Sequence, residues 1–262
     1  MTHNSPTSIN VYKQCPRLYY YQFIKKMPSI PHIDLVKGAI VHESLKGFFS
    51  DDPPDICKDY NAWAVQQLKY AFIKGWDSKK REFKILAIKA DELKKHYDEC
   101  WQILEHWLSG FLLKLFKTGL NFIEAFEKIR PKTEVELYFK QFDIRGFADV
   151  IEEVDGEVII VDYKTSSKFE MTKENKLQIA IYAYLYEKQY GRRPSKVGIY
   201  FLKERLHLIS VDEAMIRFAE EECRQIYEKT LSDDIVNYPR NSGYLCKSLK
   251  DNCPCRRYEE YE

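Results

Sequence analysis

Two acids and a lysine are written into what reads as a β-hairpin. Gly146-Phe147-Ala148-Asp149-Val150 leads through Asp155-Gly156 to Val161-Asp162-Tyr163-Lys164-Thr165. Asp-Gly between β-rich runs favours a two-residue type I′ turn, and that turn fixes the register. With Asp155 and Gly156 as the loop, Val154 faces Glu157, Val150 faces Val161 and Asp149 faces Asp162. Carboxylates opposed across a ladder, with Cβ atoms about 5 Å apart, repel unless something binds between them. A hard divalent cation, which takes carboxylate oxygens, is the usual occupant. Lys164 lies two residues beyond Asp162 and projects from the same face of the strand. Two acids and a lysine around one point is the chemistry of metal-assisted phosphodiester cleavage. Solvated hairpins carry the same residues by chance, but this one is not written as solvated. Val150, Val154, Val158, Ile159, Ile160 and Val161 occupy both faces, as in central buried strands. Buried carboxylates are rare unless paired or metal-bound.

The elements that must position this hairpin follow from periodicity. Residues 8–25 carry a helical pattern around Cys15-Pro16, and 34–49 a second one with Gly38, His42, Leu45 and Phe49 along one stripe. Asp51-Asp52-Pro53-Pro54 is a loop, and residues 61–127 read as helices rich in Trp, Leu and Lys, without strand signal. Thr133 to Phe139 alternates as a strand before the hairpin, and Glu174 to Tyr190 is a helix stopped by Gly191. Two more strands (196–202 and 206–211) precede a long helix, capped by Asp212, that reaches about Thr230. Helices, three strands, helix, two strands, helix is the order of an α/β (α+β) domain: a central mixed sheet flanked by helices. We expect one domain over residues 1–262. It divides into N-terminal helices (1–55), a helical insertion (56–130), a catalytic sheet core (131–211), and a C-terminal helix with a cysteine cluster (212–262).

Composition narrows the class. With 41 basic and 40 acidic residues the net charge is +1, so no global basic field advertises nucleic acid. Lys79-Lys80-Arg81, Lys94-Lys95 and Arg192-Arg193 are short clusters of the kind found on solvated faces. No apolar run approaches the ~20 residues of a membrane span, and Met1 to Asn10 lacks the apolar core of a signal peptide. A cytoplasmic protein without membrane association is expected. Of 7 cysteines, Cys57, Cys100 and Cys223 stand singly, whereas Cys246, Cys253 and Cys255 crowd one end and Cys15 lies near the other. In an intracellular chain such a cluster argues for metal or iron–sulfur binding over disulfides.

Taken together these residues resemble the PD-(D/E)xK nuclease superfamily in its RecB-like branch, which includes AddB-type and CRISPR-associated exonucleases. The resemblance rests on Gly38-x-x-x-His42, Gly146-Phe147-Ala148-Asp149, Asp162-Tyr163-Lys164 and Gln178-x-x-x-Tyr182, in family order from Cys15 to Cys255. Glu134 matches the acid of the first strand, with Glu136 competing for that place. The resemblance implies a restriction-endonuclease-like core in which His42, Asp149, Asp162 and the Tyr163 carbonyl hold Mg²⁺ or Mn²⁺. Lys164, Glu134, Gln178 and Tyr182 would complete the catalytic site. Taken alone, His42 on its apolar stripe reads more readily as a core histidine than as a ligand. The iron–sulfur members of the branch place one cysteine before the nuclease core and three after it. Cys15, Cys246, Cys253 and Cys255 match that layout and would hold a [4Fe–4S] cluster. The spacing Cys-x6-Cys-x-Cys departs from the usual Cys-x2-Cys-x5-Cys, which leaves zinc as the alternative.

The activity expected is metal-dependent cleavage of DNA, as an exonuclease on single strands. No P-loop is present, so the chain carries no helicase motor of its own and acts alone or beside one; CRISPR adaptation proteins are the other partners that the resemblance implies. The competing reading is a catalytically inactive module of the same fold that binds DNA or a partner. Trp63, Trp76, Trp101 and Trp107 would stack bases in one reading and fill helix cores in the other.

Overall fold

The computed structural model describes residues 3–28, 31–166, 169–241, 243, 246, 249 and 253–255. Most of the cysteine-rich C-terminal stretch of the sequence therefore lies outside the described residues. A five-stranded sheet organises the chain in the order β1-β2-β3-β4-β5. Its strands are β1 (Lys132–Phe139), β2 (Ile144–Val154), β3 (Glu157–Lys164), β4 (Lys196–Phe201) and β5 (Leu206–Ser210). All neighbours run antiparallel except β3 and β4. That parallel step needs a crossover, and α8 (Lys173–Tyr190) supplies it, capped by Thr172 and ended by Gly191 in the left-handed conformation.

The β2–β3 turn is the one its sequence writes. Asp155 and Gly156 have φ of 51° and 83°, the two positive values that a type I′ turn demands. Pairing then runs from Val154↔Glu157 to Val150↔Val161. There the ladder ends, and Asp149 and Asp162 lie just beyond it.

Two helical layers cover the sheet. On one side α1 (Pro6–Gln14), α8 and α9 (Glu213–Lys229) enclose a core containing Ile9, Leu137, Ile160, Ile181, Val197 and Ala219. On the other side lie α3 (Ile33–Phe48), α4 (Tyr60–Ser78), α5 (Lys80–Ile85), α6 (Ala90–Lys117) and α7 (Phe122–Ile129). These pack around Ile40, Phe48, Phe72, Trp107, Phe126 and Val161. Helix starts follow their caps, with side chains of Ser5, Asp59, Asn121 and Asp212 accepting first-turn N–H groups. Trp107 is buried, and Trp63, Trp76 and Trp101 are half-buried against the same core, so all four contribute to helix packing. Among the described residues no helix is long and apolar enough to cross a membrane.

The N-terminal segment departs from the single helical run its periodicity predicts. Cys15 is extended, at φ −159° and ψ 106°, and separates α1 from α2 (Pro16–Tyr19). Pro16 is the cause: its ring disfavours helical geometry in the preceding residue, and its missing N–H suits the start of a new helix. Tyr20–Ile24 then winds one π-helical turn.

Candidate active site

Helix α3 delivers His42 to the end of β3. A Cβ on Gly38, one turn earlier, would stand 3.4 Å from Thr165 Oγ1, so the glycine lets the helix approach closely. His42 Nδ1 lies 3.0 Å from Asp149 Oδ1. The other oxygen of Asp149 accepts the backbone N–H of Tyr163 at 2.7 Å. Asp149 therefore takes over from the ladder where strand pairing stops. The expected face-to-face pairing of Asp149 with Asp162 gives way to this side-chain bridge. The Tyr163 ring packs edge-on to His42, with centroids 6.1 Å apart.

A break in the pleat turns Glu134 and Asp149 toward one another. Ala148 and Ile151 belong to one core layer and Val150 to the other. The strict alternation of a strand therefore fails at Asp149. The β1–β2 ladder pairs Thr133 with Val150 and Val135 with Ala148, skipping the pair between them. Glu134, at the skipped position, has φ +52°, a conformation that non-glycine residues adopt at a cost. As a result His42, Glu134 and Asp149 each place one ligand atom within 4.8 Å of the others. Glu136, the other candidate on β1, pairs instead with Arg145 at 2.9 Å.

A second network adjoins the trio. Lys164 Nζ stands 2.7 Å from Asp162 Oδ2 and donates to Gln178 Oε1 at 2.9 Å. Gln178 Nε2 donates to Asp162 Oδ1 at 2.7 Å, so one amide holds the acid and the lysine in mutual register. Tyr182, one turn further along α8, donates to the Phe147 carbonyl at 2.9 Å. A Cβ at Gly146 would meet the Tyr182 ring at 2.9 Å and Pro6 at 3.2 Å, so this glycine is what lets Tyr182 lie against β2.

The electrostatics favour a bound cation. Burial pushes the Asp162 carboxyl up, Lys164 pulls it back and Asp149 raises it again, for a net value of about 6. Burial, then the Asp149 charge, also raises Glu134. Burial opposes the imidazolium of His42, but the hydrogen bond and charge of Asp149 outweigh it and raise that group. Asp162 Oδ2 is buried with an ammonium beside it but no hydrogen-bond donor aligned on it. Crowded carboxylates, an imidazole nitrogen and an under-satisfied carboxylate oxygen fit a hard divalent cation.

The described structure gathers the cysteines only in part. Cys15, Cys253 and Cys255 are buried. The Cys255 thiol is pushed up to about 12 by burial, then by Cys253, with a smaller contribution from Cys15. Cys246 is half-buried. Among the described residues no trio of sulfurs shares the 4.8 Å spacing that His42, Glu134 and Asp149 do. The two ends of the chain meet there all the same: Arg17 Nε donates to the Tyr238 carbonyl at 2.6 Å, and Asn241 to the Gln14 carbonyl at 2.8 Å.

The residues predicted from sequence thus fall into one region, apart from the cysteines. Two features escape a sequence reading. One is the left-handed backbone of Glu134, for which no glycine gives a signal. The other is the Tyr163 ring beside His42, since alternation alone turns Tyr163 away from Asp162.

Comparison with known proteins bears on the family and the fold. The sequence profile of the PD-(D/E)XK nuclease superfamily matches residues 3–258. A solved structure from Eubacterium rectale, named as a candidate exonuclease, shares the fold with a TM-score of 0.52 at 12% identity, covering 98% of this chain and 88% of that one. A structure of the protein SSO0001 aligns with a TM-score of 0.27 at 17% identity, over 73% of this chain and 86% of that one. No curated protein matches the chain.

Proposed function

The chain belongs to the PD-(D/E)XK nuclease superfamily, and we propose that it is a metal-dependent deoxyribonuclease, acting as an exonuclease on single-stranded DNA. The observation that carries this reading is the His42–Glu134–Asp149 trio abutting the Asp162–Lys164–Gln178 network. His42, Asp149, Asp162 and the Tyr163 carbonyl are the groups that would hold Mg²⁺ or Mn²⁺. When bound, the ion polarises the scissile phosphate and acidifies a water. Lys164, held by Gln178, orients that water or offsets charge on the phosphoryl oxygens. Gln178 keeps the lysine from collapsing wholly onto Asp162, and Tyr182 anchors the strand that carries Asp149. Glu134 serves as an outer ligand or holds a water.

The motifs Gly38-x-x-x-His42 and Gln178-x-x-x-Tyr182 support a reading of the chain as a member of the RecB-like branch, one nuclease domain of the cytoplasm working beside a helicase or CRISPR adaptation proteins. A [4Fe–4S] cluster on Cys15, Cys246, Cys253 and Cys255 belongs to the same reading. It is supported by the donor type, by three buried thiols and by the meeting of the chain ends. Zinc is the competing occupant, and visible absorption with bound-metal analysis of anaerobically purified protein separates the two.

The test is degradation of end-labelled single-stranded DNA with Mn²⁺, Mg²⁺ or EDTA, beside the variant Asp162→Ala. Metal-dependent cleavage absent from the variant is the expected result, and the label positions give polarity. Cleavage that survives the substitution would overturn the site. Intact protein that binds DNA without cutting it would overturn the enzyme.

A further inference from the structure

Behind the metal trio, on the face of the sheet under α6, lies a cavity of about 200 Å³. Interiors keep few voids larger than a water molecule, and an apolar cavity of about 150 Å³ already admits a benzene-sized ring. The space here suits a bicyclic planar ring. Its walls are Trp107 and Phe111 of α6, Tyr163 of β3 and Tyr200 of β4. Trp107 and Phe111 are stacked at 5.4 Å and 7°. Tyr163 and Tyr200 are neighbours across the β3–β4 ladder, with rings 5.9 Å apart. The lining also carries a charged pair, Lys114 Nζ at 2.6 Å from Glu152 Oε2, which stands at the mouth. Both are partly exposed, at 43% and 24% of their side chains. Trp107, Gly110, Phe111 and Lys114 share one face of α6 by helical spacing.

We propose that this cavity binds a nucleobase. Aromatic walls suit any flat ring, so the class is decided by the mouth. A cation and a carboxylate side by side present one donor and one acceptor. They match a ring edge that offers an acceptor next to an amino group, as the adenine edge does with N7 and N6. An apolar hydrocarbon would use neither member of that pair, and a simple anion would use only Lys114.

Tyr163 joins the cavity to the metal trio. Its ring is a cavity wall and touches the edge of His42, while its N–H holds Asp149 Oδ2. A base seated in the cavity bears directly on the residue that fixes two groups of the trio. The coupling to cleavage rests on the nuclease reading; the binding itself does not. The base arrives either as a free nucleobase or as part of the DNA strand.

Equilibrium dialysis of labelled adenine against the protein in EDTA tests the binding without reference to cleavage. The filling variant is Gly110→Leu, at an exposed position where a Cβ meets only the Tyr200 hydroxyl, at 3.5 Å. Leucine also favours the helix more than glycine does, so the variant should melt no lower than wild type. Saturable adenine binding, weakened at least about tenfold in Gly110→Leu, is expected. Indole, which has the shape without the acceptor, should compete at least about tenfold less well. A raised KM for single-stranded DNA in the variant would assign the site to a base of the strand, and an unchanged KM to a free nucleobase. No saturable binding in wild type, binding undiminished in Gly110→Leu, or equal competition by indole would each overturn the proposal.

Discussion

Replacing Asp162 by asparagine should stabilise the metal-free protein while abolishing its metal-dependent cleavage. The carboxyl is 4% exposed. Burial raises it, Lys164 lowers it and Asp149 raises it again, leaving it at about 6 where an ordinary aspartate has 3.8. A folded-state pKa above the unfolded one means that the folded chain holds this proton more tightly. Its contribution to stability therefore falls as pH rises from about 4 to about 6 and stays lost above that. The full displacement corresponds to a penalty of about 3 kcal/mol near neutrality. Asparagine recovers only part of it. Its amide oxygen still accepts from Gln178, but its NH₂ faces the Lys164 ammonium, a mismatch worth about 1–2 kcal/mol. A net gain of about 1–2 kcal/mol remains, or a Tm higher by roughly 2–8 °C for a chain of this size.

Thermal unfolding of wild type and Asp162→Asn in EDTA at about pH 7.5 reads that difference. Repeating it at about pH 4.5 should shrink or reverse the difference, because the wild-type carboxyl is then largely protonated. Saturating Mn²⁺ should reverse the order at the higher pH, since a ligand that binds only the folded state stabilises it by about 2.7 kcal/mol at 100 times its Kd. An asparagine variant that melts below wild type in EDTA at about pH 7.5 would refute the reasoning. It would mean that Lys164 and Gln178 more than offset the cost of burying the charge.

Two further substitutions probe the same site. Gln178→Leu removes the amide that bridges Asp162 and Lys164. Loss of hydrogen bonds to charged groups at about 1.5–3 kcal/mol should lower kcat by roughly 10–100-fold with KM little changed, as steady-state cleavage would show. His42→Ala should weaken Mn²⁺ binding in calorimetry. In wild type the Asp149 contact raises the His42 pKa, so protons compete for this imidazole below that pKa and Mn²⁺ affinity should rise with pH. The slope of affinity against pH should be shallower in the alanine variant.

The parts that sequence made legible are those fixed by local chemistry. Asp155-Gly156 dictates a type I′ turn, and the turn dictates the pairing of Val154 with Glu157 and Val150 with Val161. Gly191 and Asp212 mark helix ends because each satisfies terminal backbone groups in its own way. Lys164 meets Asp162 because period two puts them on one face. Register arithmetic failed at Asp149, one step past the last pair, because it assumes an unbroken pleat. The break depends on Glu134, whose conformation is imposed by tertiary contacts and not by any local preference. Cys15 shows the same limit from the other side: helical periodicity runs through it, but the backbone does not, because Pro16 overrides the pattern.

The backbone of Glu134 gives the sharpest test of whether the pleat break is a functional device. Left-handed geometry costs an L-residue roughly 1–2 kcal/mol, and Glu134 carries a further penalty because burial and the Asp149 charge oppose its ionisation. Glu134→Gly removes both, against about 0.5–1 kcal/mol for the greater freedom of glycine in the unfolded chain. The metal-free variant should therefore be more stable than wild type by up to about 1 kcal/mol, whereas Glu134→Gln, which keeps the backbone strain, should gain less. If the break serves the metal trio, both variants should bind Mn²⁺ more weakly than wild type, and the glycine variant, though the more stable, should be no better a metal binder than the glutamine one. Urea unfolding in EDTA and calorimetric Mn²⁺ titration of the pair supply the two readings. A glycine variant that loses stability would show that the φ of +52° at Glu134 carries no strain. The skipped pair would then be an ordinary irregularity of the sheet, and the convergence of Glu134 on Asp149 would need another cause.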